Sequence, residues 1–301
     1  MPEAKTFLLS EIEEGFNVPI KKIVEHLSSK GYTVENNPNS KIGSAEYNIL
    51  YDEFYAQKKW KNTDERFVVY LDIMGFKDFV SRNKHEAVHG TLEKVLGFIK
   101  DAEGFSNTGF TTDENGKKTQ FETIHITMFS DSIFLFSKDN TRLSFAMITI
   151  AAYTLFVDAI TNCIPMKGAM ACGLISVDRE QHIYCGQPLI DAHLLQEDVN
   201  YYGVVAHHSI DKFFLDNEVD EFHRNCFKDF KTPLKSGNIV HRNLNWFAAL
   251  DFWGMFRQDI PKKEFEKEIE KLKAITSGAP RKYIDNTIDA FNSIYYPKPS
   301  S

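Results

Sequence analysis

Apolar positions along this chain repeat at two spacings, and the order of those spacings predicts its architecture. Residues 20–29 carry Ile20, Ile23, Val24 and Leu27 on one helical stripe, with Pro19 ahead as a start signal and Gly31 behind as a stop. A loop rich in turn formers (36–44) and a second helical segment (45–60) follow, so residues 1–60 read as a helical extension. Arg66–Ile73 is a β-branched and aromatic run of strand length. Val88, Leu92, Val95 and Ile99 then return to helical spacing, and residues 104–120 break the pattern as a loop. Two apolar strand-like runs, 121–129 and 132–137, meet at Ser130-Asp131, which predicts a hairpin.

Arg142–Cys163 is apolar around its circumference and predicts a buried helix; residues 166–177 predict a strand, Pro188 opens a helix, and 201–207 form a short strand. The order from Arg66 to Val177 is thus β-α-β-β-α-β, the split βαβ arrangement of ferredoxin-like and palm-type sheets, an α+β fold. We expect this middle unit to span 61–210, with a C-terminal extension over 211–301 that could complete the sheet. In that extension Phe265, Ile269, Leu272 and Ile275 mark an amphipathic helix, and the last residues, 295–301, are expected to fray.

Composition narrows the classes. The chain has 301 residues, 43% apolar and 26% charged, enough for a full core without disulfides. A net charge of −7 and a pI near 5.8, with no basic block, argue against a nucleic-acid partner. The four cysteines are scattered, which fits a reducing compartment. The acidic N-terminus does not resemble a secretion signal, and the uncharged stretch Ser144–Val157 falls short of the ~20 residues of a membrane span. The expectation is a cytoplasmic protein with no membrane partner.

Chemistry concentrates at two carboxylates. Asp72 lies inside an apolar strand and Asp131 at the hairpin tip between two others. A carboxylate set among apolar residues must be paired or bind a metal. In a β-α-β-β order the first and third strands are neighbours, so the two aspartates can converge. Two converging carboxylates repel unless a cation lies between them, and hard oxygen donors suit Mg²⁺ or Mn²⁺. The turn Ile73-Met74-Gly75-Phe76 follows Asp72 directly, so its backbone amides at a helix start could meet an anion.

Residues 70–78 with 128–136, YLDIMGFKD and MFSDSIFLF, resemble the catalytic domain of class III nucleotidyl cyclases, whose motifs are similar to DIxGF and K/E-x-x-G-D. Together with KGAMACG (167–173) and CGQPLIDAHLLQE (185–197), they look most like the bacterial pyrimidine cyclases of the Pycsar anti-phage system. The resemblance covers about Arg66–His207. It implies a head-to-tail homodimer with active sites at the interface and two divalent ions, Mn²⁺ or Mg²⁺, per site. Asp72 and Asp131 would be the catalytic metal ligands, the Ile73 carbonyl a third ligand, and the backbone from Ile73 through Met74 and Gly75 to Phe76 would hold phosphates.

The departures matter equally. Thr127 stands where purine cyclases carry a Lys or Glu that reads the base, and Ile183 stands at the second reading position. Ile190 and Leu194 replace the Asn and Arg that stabilise the transition state. Strand period two places Tyr70 on the face of Asp72, where a phenol could narrow a base pocket toward a pyrimidine. Lys167 is the nearest cation that could substitute for the missing Arg. Taken singly, a strand tyrosine or threonine is ordinarily packing; the double carboxylate motif is what gives these positions weight. The expected activity is cyclisation of UTP to cyclic UMP, signalling to a separate effector in anti-phage defence. The alternatives are a CTP cyclase, a purine cyclase and a non-catalytic NTP-binding regulator.

Overall fold

The structure is a computed structural model, describing residues 6–16, 18–56, 60–107, 110–112, 118–120, 122–217, 219, 221–250 and 262–297. An N-terminal module contains β1 (Thr6–Leu8), α1 (Leu9–Phe16), α2 (Ile20–Ser29), β2 (Lys41–Gly43) and α3 (Ser44–Leu50), with a π-helical turn over Tyr51–Ala56. α2 follows the predicted stripe and α3 lies in the predicted helical segment, whereas α1 and the three-residue strands β1 and β2, which pair as a ribbon, are not signalled by any periodicity read from the sequence. Leu9, Ile12, Phe16, Ile20, Ile23, Leu27, Ile42 and Leu50 make a core of its own. Leu143, at the start of a helix of the main body, packs against that core.

The main body begins with β3 (Thr63–Ile73), α4 (Phe76–Arg82) and α5 (His85–Ser106), then a small ribbon of β4 (Phe110–Thr112) and β5 (Lys118–Gln120) where the sequence predicts only a loop. The hairpin β6 (Ile124–Phe129) and β7 (Ser132–Ser137), helix α6 (Arg142–Thr161) and strand β8 (Met166–Asp178) complete the expected βαββαβ order. Next come β9 (Ile183–Gly186), α7 (Gln187–Asp198), β10 (Val204–Ala206), α8 (His208–Asp216) and α9 (Glu221–Asn225). The chain ends with β11 (Phe227–Leu234), β12 (Gly237–Leu244), a 3₁₀ turn at Trp246–Leu250, α10 (Lys262–Ile275) and α11 (Arg281–Tyr295). The expected fraying of the tail falls largely outside the described residues.

The sheet runs β11-β12-β10-β8-β3-β7-β6, with β9 also on β8, so β3 is central and lies between β7 and β8. The core is the palm-type α+β fold that the element order predicts. Its antiparallel pairs set Tyr70 opposite Phe134 and Ala169, and Asp72 opposite Ser132 and Lys167. Phe67, Val69, Leu71 and Ile73 point to the face packed by α5 and α6. Val68, Tyr70 and Asp72 therefore point to the opposite face, part of which α7 covers. By length and composition α6 could cross a membrane, yet two-thirds of its most apolar stretch is buried within the protein. β11 and β12 both come from the C-terminal extension, β12 pairing with β10, so residues of that extension widen the sheet.

Candidate active site

Asp72 is the penultimate residue of β3 and is half-buried on the face beneath α7. Its carboxyl is pushed up to about 6, first by burial and then by the nearby charge of Asp131; Lys167, a hydrogen bond from the Gln196 side chain, and His193 offset this in part. Asp131 occupies the β6–β7 turn, and its carbonyl accepts the Ile73 N–H at 2.9 Å. That bond staples the hairpin tip to the end of the central strand, so the two aspartates come together as the strand order predicts. Ser130 makes the tight turn possible by adopting φ 57°, at the position where the resembled motif carries glycine.

The expected phosphate cradle narrows. The Ile73 N–H is spent on Asp131, and the Met74 N–H donates to the Pro165 carbonyl at 2.8 Å, because the chain must be tied down where β3 exits the sheet. Gly75 and Phe76 open α4, and among the described residues their amides have no backbone partner. Gly75 takes φ 73°; a Cβ would meet nothing within 4 Å, so the demand for glycine is conformational. Met74 and Phe76 pack their side chains on the main core, and Ile73 is buried there.

Tyr70 is 6% exposed, with its hydroxyl 2.8 Å from Ser132 Oγ and its ring packed on Phe134 and edge-on to His193. It lies beneath α7 rather than lining an open pocket. Thr127, half-buried on β6, is paired across the strands with Phe134 and shares the face of the aspartates. Lys167 is buried directly opposite Asp72, but its ammonium donates to the carbonyls of Gln196, Glu197 and Val199 at 2.9, 3.2 and 3.3 Å. It is therefore not held out toward a substrate as a stand-in for the missing Arg. Burial lowers the Lys167 ammonium to about 8, with Lys235 adding to the fall and Asp72 opposing it.

Sequence reasoning passed over Gln196, His193 and Ser132. The signal for the first two was available: residues 193 and 196 are one helical turn apart on the segment that must pack over Asp72. Ile190 and Leu194, which the resemblance aligns with transition-state groups, lie one turn apart on α7 and are 52% and 58% exposed. Among the described residues no group of three or more His, Cys, Asp or Glu could enclose a metal ion, so a cation here would rely on the two carboxylates and main-chain oxygen. Those donors fit a hard divalent ion. Asp72 is raised first by burial and then by the negative charge of Asp131, and a cation held by the two carboxylates would oppose both effects.

No family model matches the chain. Curated relatives match short stretches: translation initiation factor IF-2 of Bacteroides fragilis is 43% identical over 63 residues, and that of Cytophaga hutchinsonii is 37% identical over 75. These stretches are 21% and 25% of this chain, which spans only 6% and 7% of the length of those proteins. Among solved structures, the chain is similar to the catalytic core of a rhodopsin-guanylyl cyclase with converted specificity in complex with ATPαS (TM-score 0.44, 10% identity, 62% of this chain, 97% of that one). It is also similar to the adenylyl cyclase CyaB from P. aeruginosa (TM-score 0.40, 13% identity, 60% and 94%). With TM-scores this low, the functional assignment rests on the chain's own residues.

Proposed function

We propose that this chain is a nucleotidyl cyclase that converts a nucleoside triphosphate to its 3′,5′-cyclic monophosphate and pyrophosphate. The observation that carries the reading is the Asp72–Asp131 pair: the β6–β7 turn that holds Asp131 is bonded through its main chain to the end of β3, and Asp72 is raised to about 6 by burial and by the charge of Asp131. Asp72, Asp131 and the Ile73 carbonyl would hold divalent ions, Mn²⁺ or Mg²⁺. Bound there, such ions lower the pKa of a hydroxyl and neutralise phosphate charge. The ribose 3′-oxygen would bond to the α-phosphorus as the bond from that phosphorus to the bridging β-phosphate oxygen breaks; the hydroxyl proton leaves to solvent. The amides of Gly75 and Phe76 would orient the triphosphate.

Thr127 supports a pyrimidine, because a single short hydroxyl replaces the long purine-reading side chains; the order of UTP before CTP comes from the resemblance alone. One observation favours the purine alternative: Tyr70 is packed under α7 with its hydroxyl bound to Ser132, so it takes no room from a bicyclic base. The exposed pair Ile190 and Leu194, with Phe129 81% exposed at the hairpin tip, supports pairing with a second copy of the chain across this face. A cyclic product would act on a separate effector, in keeping with the anti-phage role that the resemblance implies.

The test is purified protein with Mn²⁺ and each of the four NTPs in turn, followed by chromatography of the products. A cyclic nucleotide from one NTP is expected, and Asp72→Asn or Asp131→Asn should cost more than the ~10–100-fold typical of residues that only support a ligand. A purine product would replace the pyrimidine reading. No product from any NTP, with NTP binding retained, would favour the non-catalytic regulator.

A further inference from the structure

Lys167 is a buried cation whose role the proposed chemistry leaves open. Its side chain is 6% exposed, and its ammonium spends its three donors on main-chain carbonyls. Those carbonyls belong to Gln196, Glu197 and Val199, at the C-terminal end of α7, where a helix leaves its last C=O groups without internal partners and its dipole is negative. A lysine is a fitting cap for such an end.

The location of this cap gives it a consequence. Lys167 faces Asp72 across the β3–β8 pair, and residues directly opposite share a face of the sheet. Gln196, in the turn that Lys167 holds, is buried, and its side chain favours the charged form of the Asp72 carboxyl. The next residue, Gly168, lets the strands close tightly: a Cβ there would lie 2.4 Å from the Tyr70 carbonyl oxygen. Strand, lysine and helix end are therefore tied together beside the carboxylate.

We propose that Lys167 is a positioning residue that anchors the C-terminal turn of α7 beside Asp72 and thereby holds Gln196 against this metal-site carboxylate, without touching substrate. The proposal rests on the reading of Asp72 and Asp131 as a divalent-cation site. It assigns Lys167 to the orientation of a ligand, and it explains why a buried ammonium so near the chemistry has no donor left for a phosphate.

The experiment measures Mn²⁺ binding directly, from the electron paramagnetic resonance signal of the free ion, alongside kcat, KM and melting temperature. The proteins are wild type, Asp72→Asn, Lys167→Met, Lys167→Arg and Gln196→Leu. Lys167→Met and Gln196→Leu are each expected to weaken Mn²⁺ binding about tenfold. The loss should lie in ion affinity rather than in kcat at saturating Mn²⁺, and Lys167→Arg should recover much of it. A Lys167→Met protein with wild-type Mn²⁺ affinity and a large fall in kcat would overturn the proposal, because that is the signature of a substrate contact. Should Lys167→Met fail to fold, Gln196→Leu decides, since it leaves the ammonium and all three carbonyls in place; unchanged Mn²⁺ binding there overturns the proposal. If Asp72→Asn binds Mn²⁺ as wild type does, the cation reading itself falls. If binding is lost in Asp72→Asn yet intact in both Lys167→Met and Gln196→Leu, only the positioning role falls.

Discussion

Single residues at the hairpin tip and the strand exit carry conformational costs that can be measured. Ser130 holds φ 57° and Gly75 holds φ 73°, both in the left-handed region where a Cβ is disfavoured. Ser130→Gly should therefore stabilise the protein by about 1 kcal/mol in urea denaturation, and Gly75→Ala should destabilise it by about the same amount. Neither glycine motif nor backbone angle can be inferred from the serine itself; the sequence shows a polar turn, and only the Asp131–Ile73 bond explains why the turn is so tight. Asp72 was legible as a candidate from its apolar neighbours alone. Its raised carboxyl was not, because that depends first on burial in the folded sheet and then on Asp131, 59 residues away. Between about pH 4 and 6 the folded state keeps a proton on Asp72 that the unfolded chain has lost, so ionisation of this group lowers stability as pH rises. Asp72→Asn should thus raise the melting temperature of the metal-free protein at about pH 7, with the gain vanishing below about pH 4. Mn²⁺ should raise the melting temperature of wild type and leave that of the variant unchanged.

At the scale of elements, the predicted strands and helices of the middle region stand close to where periodicity put them, because each buries one face and shows it in the sequence. Short strands such as β1, β4 and β9 escaped, since three or four residues cannot display a period. Joints between elements were equally hidden. Arg66 is fully buried in β3, where its guanidinium donates to the carbonyls of Ser137, Lys138 and Lys61. It also lies 4.2 Å from the centre of the Trp60 ring, with Arg179 4.6 Å from the same ring. Burial lowers the guanidinium to about 10, which leaves it charged near neutrality. Arg66→Met should cost about 3 kcal/mol or more, measured by urea denaturation, because it leaves buried carbonyls without donors. Arg66→Lys should rescue little of this, since an ammonium lacks the planar fork that reaches three carbonyls at once.

For the molecule as a whole, the pH dependence of stability sums groups that act in opposite directions. His125 stacks on Phe136 and Tyr184 and lies 3.3 Å from the Tyr184 hydroxyl, and burial, with Arg179 adding, lowers it to about 4. From about pH 6.5 down to 4 the unfolded chain takes up a proton that folded His125 refuses, so this group lowers stability as pH falls. His125→Phe should flatten the acid side of a stability profile, while Asp72→Asn should steepen it; urea denaturation from about pH 4 to 7 separates the two. The sequence by itself determined the βαββαβ order, the two carboxylates and the glycine turn, because periodicity and a charge among apolar residues are local signals. Only the tertiary structure decided that Lys167 caps α7 instead of reaching outward, that Tyr70 is packed beneath α7, and that the end of α7 lies beside Asp72. It also joined β11 and β12 to the main sheet. Each of these depends on which distant segment supplies the hydrogen-bond partner, and donors and acceptors of one kind look alike along a chain until the fold pairs them.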